Sequence, residues 1–329
     1  MALIPEIKNC PGTLAEGYDT YSNSCLKNLF NGKKVSHTLP YQEHFGNRRE
    51  LGQFLETQKR GSVSGVQEKY SVLLDKKEIR LIKDGEQGQY ILKTIPEKIK
   101  NAEQMPANEH LTLQIALQVY GIETAANCLV FLGNGEPALL VKRFDINNDG
   151  KKLALEDFAS LEGKTPQTDG DDYKYQGNYF DVFEIMRHNI PAYKLESVKL
   201  LKLIIFNYLF SNGDAHLKNF SILETALGDY RLSPAYDLLN SRIHIEDKDF
   251  ALDDGLLPRK LAKGKVKKQI FKLADLAGIS ESMTQNIFAS MTTHTEKVEK
   301  LINASFLNEK LKRNYLQAFQ SRLKKIQQD

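Results

Sequence analysis

FNYLFSNGDAHLKNFSILETALGDYRLSPAYD, residues 206–237, is the stretch from which the rest of the chain is read. It opens as the end of an apolar helix over 200–210 and breaks at Ser211-Asn212-Gly213. Asp214, His216, Lys218 and Asn219 come within the next six residues, and then a short apolar run at 220–223. A Gly228-Asp229 turn and the segment 230–232 complete the pattern of a two-stranded hairpin. Ser233-Pro234-Ala235-Tyr236-Asp237 ends the stretch. A plain polar surface loop is one reading, because Asn, Asp and Gly collect in turns. The helix before it argues for more: a helix this apolar is buried, so its end sets the polar cluster against the core.

That cluster holds what phosphoryl transfer requires. One carboxylate takes or orients the proton of the attacking hydroxyl, while an amide and a second carboxylate hold magnesium against the phosphates. The spacing Asp214-x-x-x-x-Asn219 matches the D-x-x-x-x-N of a kinase catalytic loop, and Asp237 stands where the second metal-binding carboxylate belongs.

The 329 residues suffice for one large or two medium domains. A chain with 41% hydrophobic and 26% charged residues reads as an ordinary soluble globular protein. A net charge of +3 demands neither nucleic acid nor an acidic membrane. MALIPEIKNCPG lacks a basic segment followed by an apolar one, so no signal peptide is expected. No apolar run approaches the ~18 residues of a spanning helix, so no membrane partner is expected. Three cysteines, Cys10, Cys25 and Cys128, form an odd and sparse set that fits buried thiols in a reducing compartment. The expected location is cytoplasmic.

In the N-terminal part, a short helix is expected around Cys25–Phe30 with Gly32 as its cap, and a second helix over 41–59. GSVSGVQEKY (61–70) places glycines and serines directly before alternating Tyr70, Val72 and Leu74, a strand of period two. Gly61 and Gly65 reach conformations closed to other residues, so amides there can face an anion. The segment is neither a Walker A motif nor G-x-G-x-x-G, and by itself reads first as a turn. With ATP nearby, Ser62 and Ser64 would lie close to its γ-phosphate.

Strands are expected over 78–83 and 89–94. Lys93, inside the second, is either an edge residue laid along the sheet or a lysine that holds ATP phosphates. Asn108-Glu109-His110 is expected to open an amphipathic helix running to about Tyr120 and closed by Gly121. Glu109 is then either the partner of Lys93 or a solvated first-turn acid favoured by the helix dipole. A hairpin over 126–132 and 137–144 turns at Gly133-Asn134-Gly135 and ends in Lys142, Arg143 and Phe144. The pattern then becomes helical. In a two-lobed kinase this change marks the hinge whose backbone meets adenine; the alternative is a hairpin end with exposed charges.

From Leu153 onward helices dominate the expectation: 155–161, then a polar loop over 163–178, then 179–188 and 196–210. Beyond Asp237 come an acidic segment (246–254) and a basic one, RKLAKGKVKKQIFK (259–272). The basic segment reads as a solvated helix face, since no aromatic residues interleave its charges as nucleic-acid binding would need. Helices over 270–328 close the chain.

Together these pieces resemble the HipA family of serine/threonine kinases, the toxins of bacterial toxin–antitoxin modules. The resemblance is carried by SVSGVQEK (62–69), YILK (90–93), NE (108–109), VKRFD (141–145), LALEDF (153–158), NGDAHLKN (212–219) and SPAYD (233–237), in the family's order. It is most similar to the short HipT type, because only about 60 residues precede the Gly-rich loop. The resemblance implies an α+β, two-lobed protein-kinase-like fold with its site between the lobes. The N-lobe would be β-rich over 1–144 and the C-lobe helical over 145–329.

It further implies Asp214 as catalytic base, with Asn219 and Asp237 as magnesium ligands. Lys93 would contact ATP phosphates, with Glu109 as its partner. Lys142, Arg143 and Phe144 would form the hinge, and His216 and Tyr236 would line the nucleotide site. Ser62 and Ser64, beside Gly65, would be autophosphorylated, adding negative charge where ATP phosphates sit and so shutting the enzyme off. ATP and Mg2+ are the implied cofactors, and a protein, an aminoacyl-tRNA synthetase in the family, is the implied substrate. A DNA-binding HipB-like antitoxin and a small HipS-like protein are the implied partners, with DNA reached only through the antitoxin.

Two other readings stay open on sequence. A small-molecule kinase shares the Asp-to-Asn spacing, but Asn212 stands where such enzymes carry His two residues before the Asp. A non-catalytic scaffold in a repressor complex would not need the intact set Lys93, Asp214, Asn219 and Asp237.

Overall fold

A computed structural model describes residues 6–41, 67–97, 99–147, 149–246 and 248–328. The helix expected over 41–59 (Tyr41 apart) and the loop with Ser62, Ser64 and Gly65 lie outside the described residues. The chain divides into two compact units. Unit 1 comprises 1–110, 126–143 and 304–307; unit 2 comprises 111–125, 144–303 and 308–329.

Unit 1 is built on an antiparallel sheet of strands β1 (Lys69–Asp75), β2 (Glu78–Leu81), β3 (Tyr90–Lys93), β4 (Asn127–Phe131) and β5 (Pro137–Lys142), in the order β2-β1-β3-β5-β4. The period-two pattern turns Tyr70, Val72 and Leu92 to one face. There they pack with helix α1 (Asn23–Phe30), through Cys25, Leu29 and Phe30. Ser22 caps the start of α1 by accepting the Cys25 N–H. At its end the cap is Asn31, at φ 53°, and not Gly32, which comes after it. The three cysteines are free and buried, as composition suggested.

The next helix among the described residues, α2 (Met105–Gln118), starts three residues earlier than the sequence pattern places it. Pro106 explains the shift: its fixed φ and missing N–H suit a first turn. Glu109 therefore sits in the second turn. The helix is also not amphipathic in the expected way, since 105–116 are buried throughout. Gly121, at φ 62°, closes it as expected, its N–H donating back to the Leu117 carbonyl at 3.2 Å.

Unit 2 gathers around helix α4 (Tyr193–Leu209), which is preceded by α3 (Tyr179–Asn189). Residues 203–209 of α4 are buried on every side, as its apolar composition required. Phe206 stacks on Phe210 with centroids 4.4 Å apart, and Phe210 on Phe319 at 4.8 Å. Phe319 belongs to the last helix, α8 (Glu309–Gln327); α5 (Val266–Leu276), α6 (Glu281–Met291) and α7 (Thr295–Ala304) come before it.

The expected hairpin is present as β7 (Ser221–Glu224) and β8 (Tyr230–Leu232). It is one strand wider than expected. Leu155–Asp157, expected to start a helix, forms strand β6 and pairs antiparallel with β7, Asp157 opposite Ser221. Only Phe158–Leu161 is helical there, with the Asp157 side chain accepting the Ser160 N–H as its N-cap. Among the described residues no helix is long and apolar enough to cross a membrane.

Candidate active site

The 17-residue helix α4 ends at a backbone that cannot continue it: Ser211 lies at φ 55°. Ser241 staples the polar loop beyond that break. Its hydroxyl donates to the Ser211 carbonyl at 2.8 Å and accepts the Gly213 N–H at 2.9 Å. Asn212 donates through Nδ2 to Asn207 Oδ1 at 3.1 Å and to the Asp237 carbonyl at 3.5 Å. The loop is therefore tied to the helix behind it and to the segment after the hairpin.

Asp214 emerges from this staple with its side chain 42% exposed. Tyr175 donates its phenol to Asp214 Oδ1 at 2.7 Å. Asn219 ends a single turn of 3-10 helix, Leu217–Asn219, and donates Nδ2 to the Asp214 backbone carbonyl at 3.1 Å. A carbonyl can only accept, so this bond fixes the amide's orientation and leaves Oδ1 as its outward acceptor. Asp237 sits in left-handed backbone at φ 53°, a conformation that Asp tolerates better than most non-glycine residues.

His216 is 6% exposed, with Nε2 3.9 Å from Asp214 Oδ1. Burial pushes its imidazole down to about 3, and the Lys174 ammonium adds to the shift. The ring is neutral at physiological pH, so the contact with Asp214 is not an ion pair. Its Nδ1 is buried with no hydrogen-bond partner among the described residues. Such an atom is where a ligand or an ordered water is received. Tyr236 donates to the Lys218 carbonyl at 2.9 Å, its oxygen lies 2.6 Å from the Ser221 hydroxyl, and its ring tilts against Phe144 at 5.9 Å. Burial raises the Tyr236 phenol well above its ordinary value, so it stays protonated.

In unit 1, Lys93 lies on β3, the central strand of the sheet, and so is not an edge residue. It alternates to the face opposite Leu92. Its Nζ meets Glu109 Oε1 at 2.5 Å, with side chains 6% and 4% exposed. Glu109 is therefore not a solvated first-turn acid. At the end of β5 the N–H groups of Lys142 and Arg143 are spent within the sheet, on the carbonyls of Ala126 and Gln89 at 2.7 and 2.9 Å. Neither N–H is available to an adenine edge. Lys142 Nζ reaches the Asn28 carbonyl at 3.4 Å.

Asp214, His216, Asn219, Tyr236 and Asp237 thus share one loop-and-hairpin assembly, joined by Phe144. Tyr175 and Ser241 complete it and were not singled out by sequence. Tyr175 lies 39 residues from Asp214 and Ser241 28 from Gly213, with no local period to signal either.

A magnesium ion takes oxygen ligands, is held by one or two carboxylates together with substrate phosphates, and needs no protein cage. The Asp237 carboxylate and the outward oxygen of Asn219 fit that demand. Among the described residues no group of three or more His, Cys, Asp or Glu side chains could hold a metal by itself.

Comparison with known proteins adds to this geometry. The HipA-like C-terminal domain family matches residues 61–299. Two Sinorhizobium fredii proteins, named "Putative kinase Y4dM" and "Putative kinase Y4mE", are 31% identical over 239 residues and 32% over 187. These alignments cover 68% and 55% of this chain but 55% and 42% of the two relatives, so the chain spans about half their length. A Haemophilus influenzae "Putative kinase" is 25% identical over 314 residues, covering 89% of this chain and 88% of that protein.

Among solved structures, the Shewanella oneidensis toxin–antitoxin complex of HipA, HipB and operator DNA contains a chain similar at a TM-score of 0.63 and 20% identity. That match covers 84% of this chain and 69% of the other. The Helicobacter pylori proinflammatory kinase CtkA is similar at 0.51 and 16%, covering 75% and 90%. At such identities the likeness shows the fold, which is α+β and kinase-like.

Proposed function

The chain belongs to the HipA-like C-terminal domain family, and from that premise we propose that it is an ATP- and magnesium-dependent serine/threonine protein kinase, the toxin of a toxin–antitoxin module. One observation carries the reading. A single stapled loop presents a half-exposed Asp214 carboxylate, ties the Asn219 amide to Asp214's own carbonyl, and is joined through Asn212 to the Asp237 carbonyl. A solvated turn needs none of these ties.

In this reading Asp214 accepts the proton of the acceptor hydroxyl. The hydroxyl oxygen bonds to the γ-phosphorus as the bond to the β-phosphate oxygen breaks, releasing ADP. Asn219 and Asp237 hold the metal, which when bound neutralises charge on the phosphates. Lys93, oriented by Glu109, binds phosphate oxygens. Neutral His216, whose Nδ1 has no partner among the described residues, and the Phe144–Tyr236 ring pair line the nucleotide site. Residues 1–144 would grip the nucleotide and 145–329 carry the catalytic groups, with Lys142 and Arg143 contributing carbonyls and not N–H groups.

Partners and target belong to the same proposal. The complex of HipA with HipB and operator DNA supports a DNA-binding, HipB-like antitoxin for this chain. Resemblance to the HipT type adds a HipS-like protein, autophosphorylation at Ser62 and Ser64, and an aminoacyl-tRNA synthetase as substrate. Intact mass of the purified chain, with and without Asp214→Asn, tests the core of it. Added phosphates on the unaltered chain alone, mapped to Ser62 or Ser64, are expected. If neither chain gains phosphate and neither binds ATP by calorimetry, the kinase reading fails.

A further inference from the structure

The catalytic carboxylate has a companion that neither the motif nor the family match assigns. Tyr175 donates to Asp214 Oδ1 at 2.7 Å across 39 residues of sequence. The phenol arrives on a fixed platform. Its ring edge meets His216 with centroids 5.1 Å apart at 77°, and Lys174 Nζ lies 4.9 Å over its face. The Tyr175 carbonyl accepts the Asp253 N–H at 2.9 Å, and the Gly177 carbonyl accepts that of Asp254 at 3.0 Å. Gln176 Nε2 donates to the Asp169 carbonyl at 2.9 Å. The polar segment is therefore pinned at Tyr175 and at the two residues after it.

Two features separate a guide from a plug. The phenol engages one oxygen, Oδ1, while the Asp214 side chain stays 42% exposed. A carboxylate's terminal torsion is broad and two-fold, so unrestrained it points its oxygens in many directions. Anchoring one oxygen sets the direction of the other, and proton transfer depends on that direction.

We infer that Tyr175 is a positioning residue for phosphoryl transfer. Its hydroxyl fixes the Asp214 carboxylate so that the second oxygen meets the acceptor hydroxyl. The inference rests on the kinase reading above and names a residue that acts through Asp214, without itself touching substrate.

The test uses the full chain, ATP and dephosphorylated casein as a generic acceptor, with ADP release and phosphocasein as readouts. Tyr175→Phe keeps the ring against His216 and under Lys174 and deletes only the donor. Tyr175→Leu removes the ring as well, and Asp214→Asn serves as the inert reference. Expected for Tyr175→Phe is a fall in kcat of about tenfold, the scale of one hydrogen bond to a charged group. KM for ATP should stay within about twofold, and the melting temperature should hold, because ATP is not bound through the phenol. Tyr175→Leu should be no more than about twofold slower than Tyr175→Phe, since the hydroxyl is the working group.

An unchanged kcat in Tyr175→Phe overturns the inference while leaving the kinase reading intact. So does a raised kcat, which would make the phenol an obstruction, or a loss matched by a lower melting temperature. An unaltered chain that carries no phosphate of its own and is no more active than Asp214→Asn sinks the kinase reading and the positioning role together, and is told apart by that comparison.

Discussion

Glu109→Gln is the sharpest test of how unit 1 is held. The substitution keeps shape and removes charge from a pair whose Nζ–Oε1 distance is 2.5 Å and whose side chains are 6% and 4% exposed. At an effective dielectric of 20 the attraction at that distance is about 7 kcal/mol. Desolvating both ions offsets most of it, so the intact pair adds little net stability. Breaking it is another matter, because the Lys93 ammonium is left buried without its carboxylate. The expected loss is about 3–5 kcal/mol. Lys93→Met with Glu109→Leu replaces both charges by apolar groups of similar size, and should return stability to within about 2 kcal/mol of the parent. Urea unfolding monitored by far-UV circular dichroism measures the parent, Glu109→Gln, Lys93→Met, Glu109→Leu and the double variant; the protein has no tryptophan to report by fluorescence. A cost below about 1 kcal/mol for Glu109→Gln, or a double variant that merely sums the losses of Lys93→Met and Glu109→Leu, would show that the pair is not a buried charge held by its partner.

Three further outcomes are expected. His110 is buried with Nε2 3.2 Å from the Gly12 carbonyl, and burial pushes its imidazole down to about 4. A base that charges more readily when unfolded lends its stability in full above pH ~6.5 and loses it as pH falls through the window down to about 4, up to about 3 kcal/mol in all. Urea midpoints across that window should fall in the parent and flatten in His110→Gln. Gly12→Ala would place a Cβ 2.1 Å from Cys25 Sγ, so a loss of about 1–3 kcal/mol is expected and Cys25→Ala should restore most of it, both read from melting curves. Asp237→Gly suits the left-handed backbone at φ 53° and removes only the carboxylate. It should therefore fold at least as well as the parent while its phosphoryl transfer needs far more magnesium, seen by titrating the metal; an unchanged magnesium dependence would remove Asp237 from the metal site.

Local pattern was legible in the sequence and distant geometry was not. Asp214, Asn219 and Asp237 stand out as candidates because a polar loop with kinase-like spacing and a hairpin fit in 24 contiguous residues. The strands around Tyr70, Val72 and Tyr90 come from period two, and the burial of α4 from its composition. Leu155–Asp157 misled because LALEDF suits a helix, and its strand state is imposed by pairing with a segment more than sixty residues away. Glu109 could not be placed until Pro106 was seen to start the helix, which moved the acid from a solvated turn to a buried one. Tyr175 and Ser241 were invisible for the same reason as β6. Each reaches the site from far along the chain, and no local pattern encodes such a contact.

The pairing of β6 with β7 has a consequence for how the site comes into being. Asp157 faces Ser221 across the sheet, so that one ladder closes a chain loop of about 64 residues. The entropic toll of such a closure is about 4 kcal/mol. It must be met before Asn219 and Ser221 have a surface to rest on, and α3, α4 and Tyr175 all lie inside the loop. The sheet that carries the motif is therefore completed from outside the motif itself. A fragment cut after Asp157 would keep every residue from Asn212 to Asp237 and lose the strand that turns an open hairpin into a sheet.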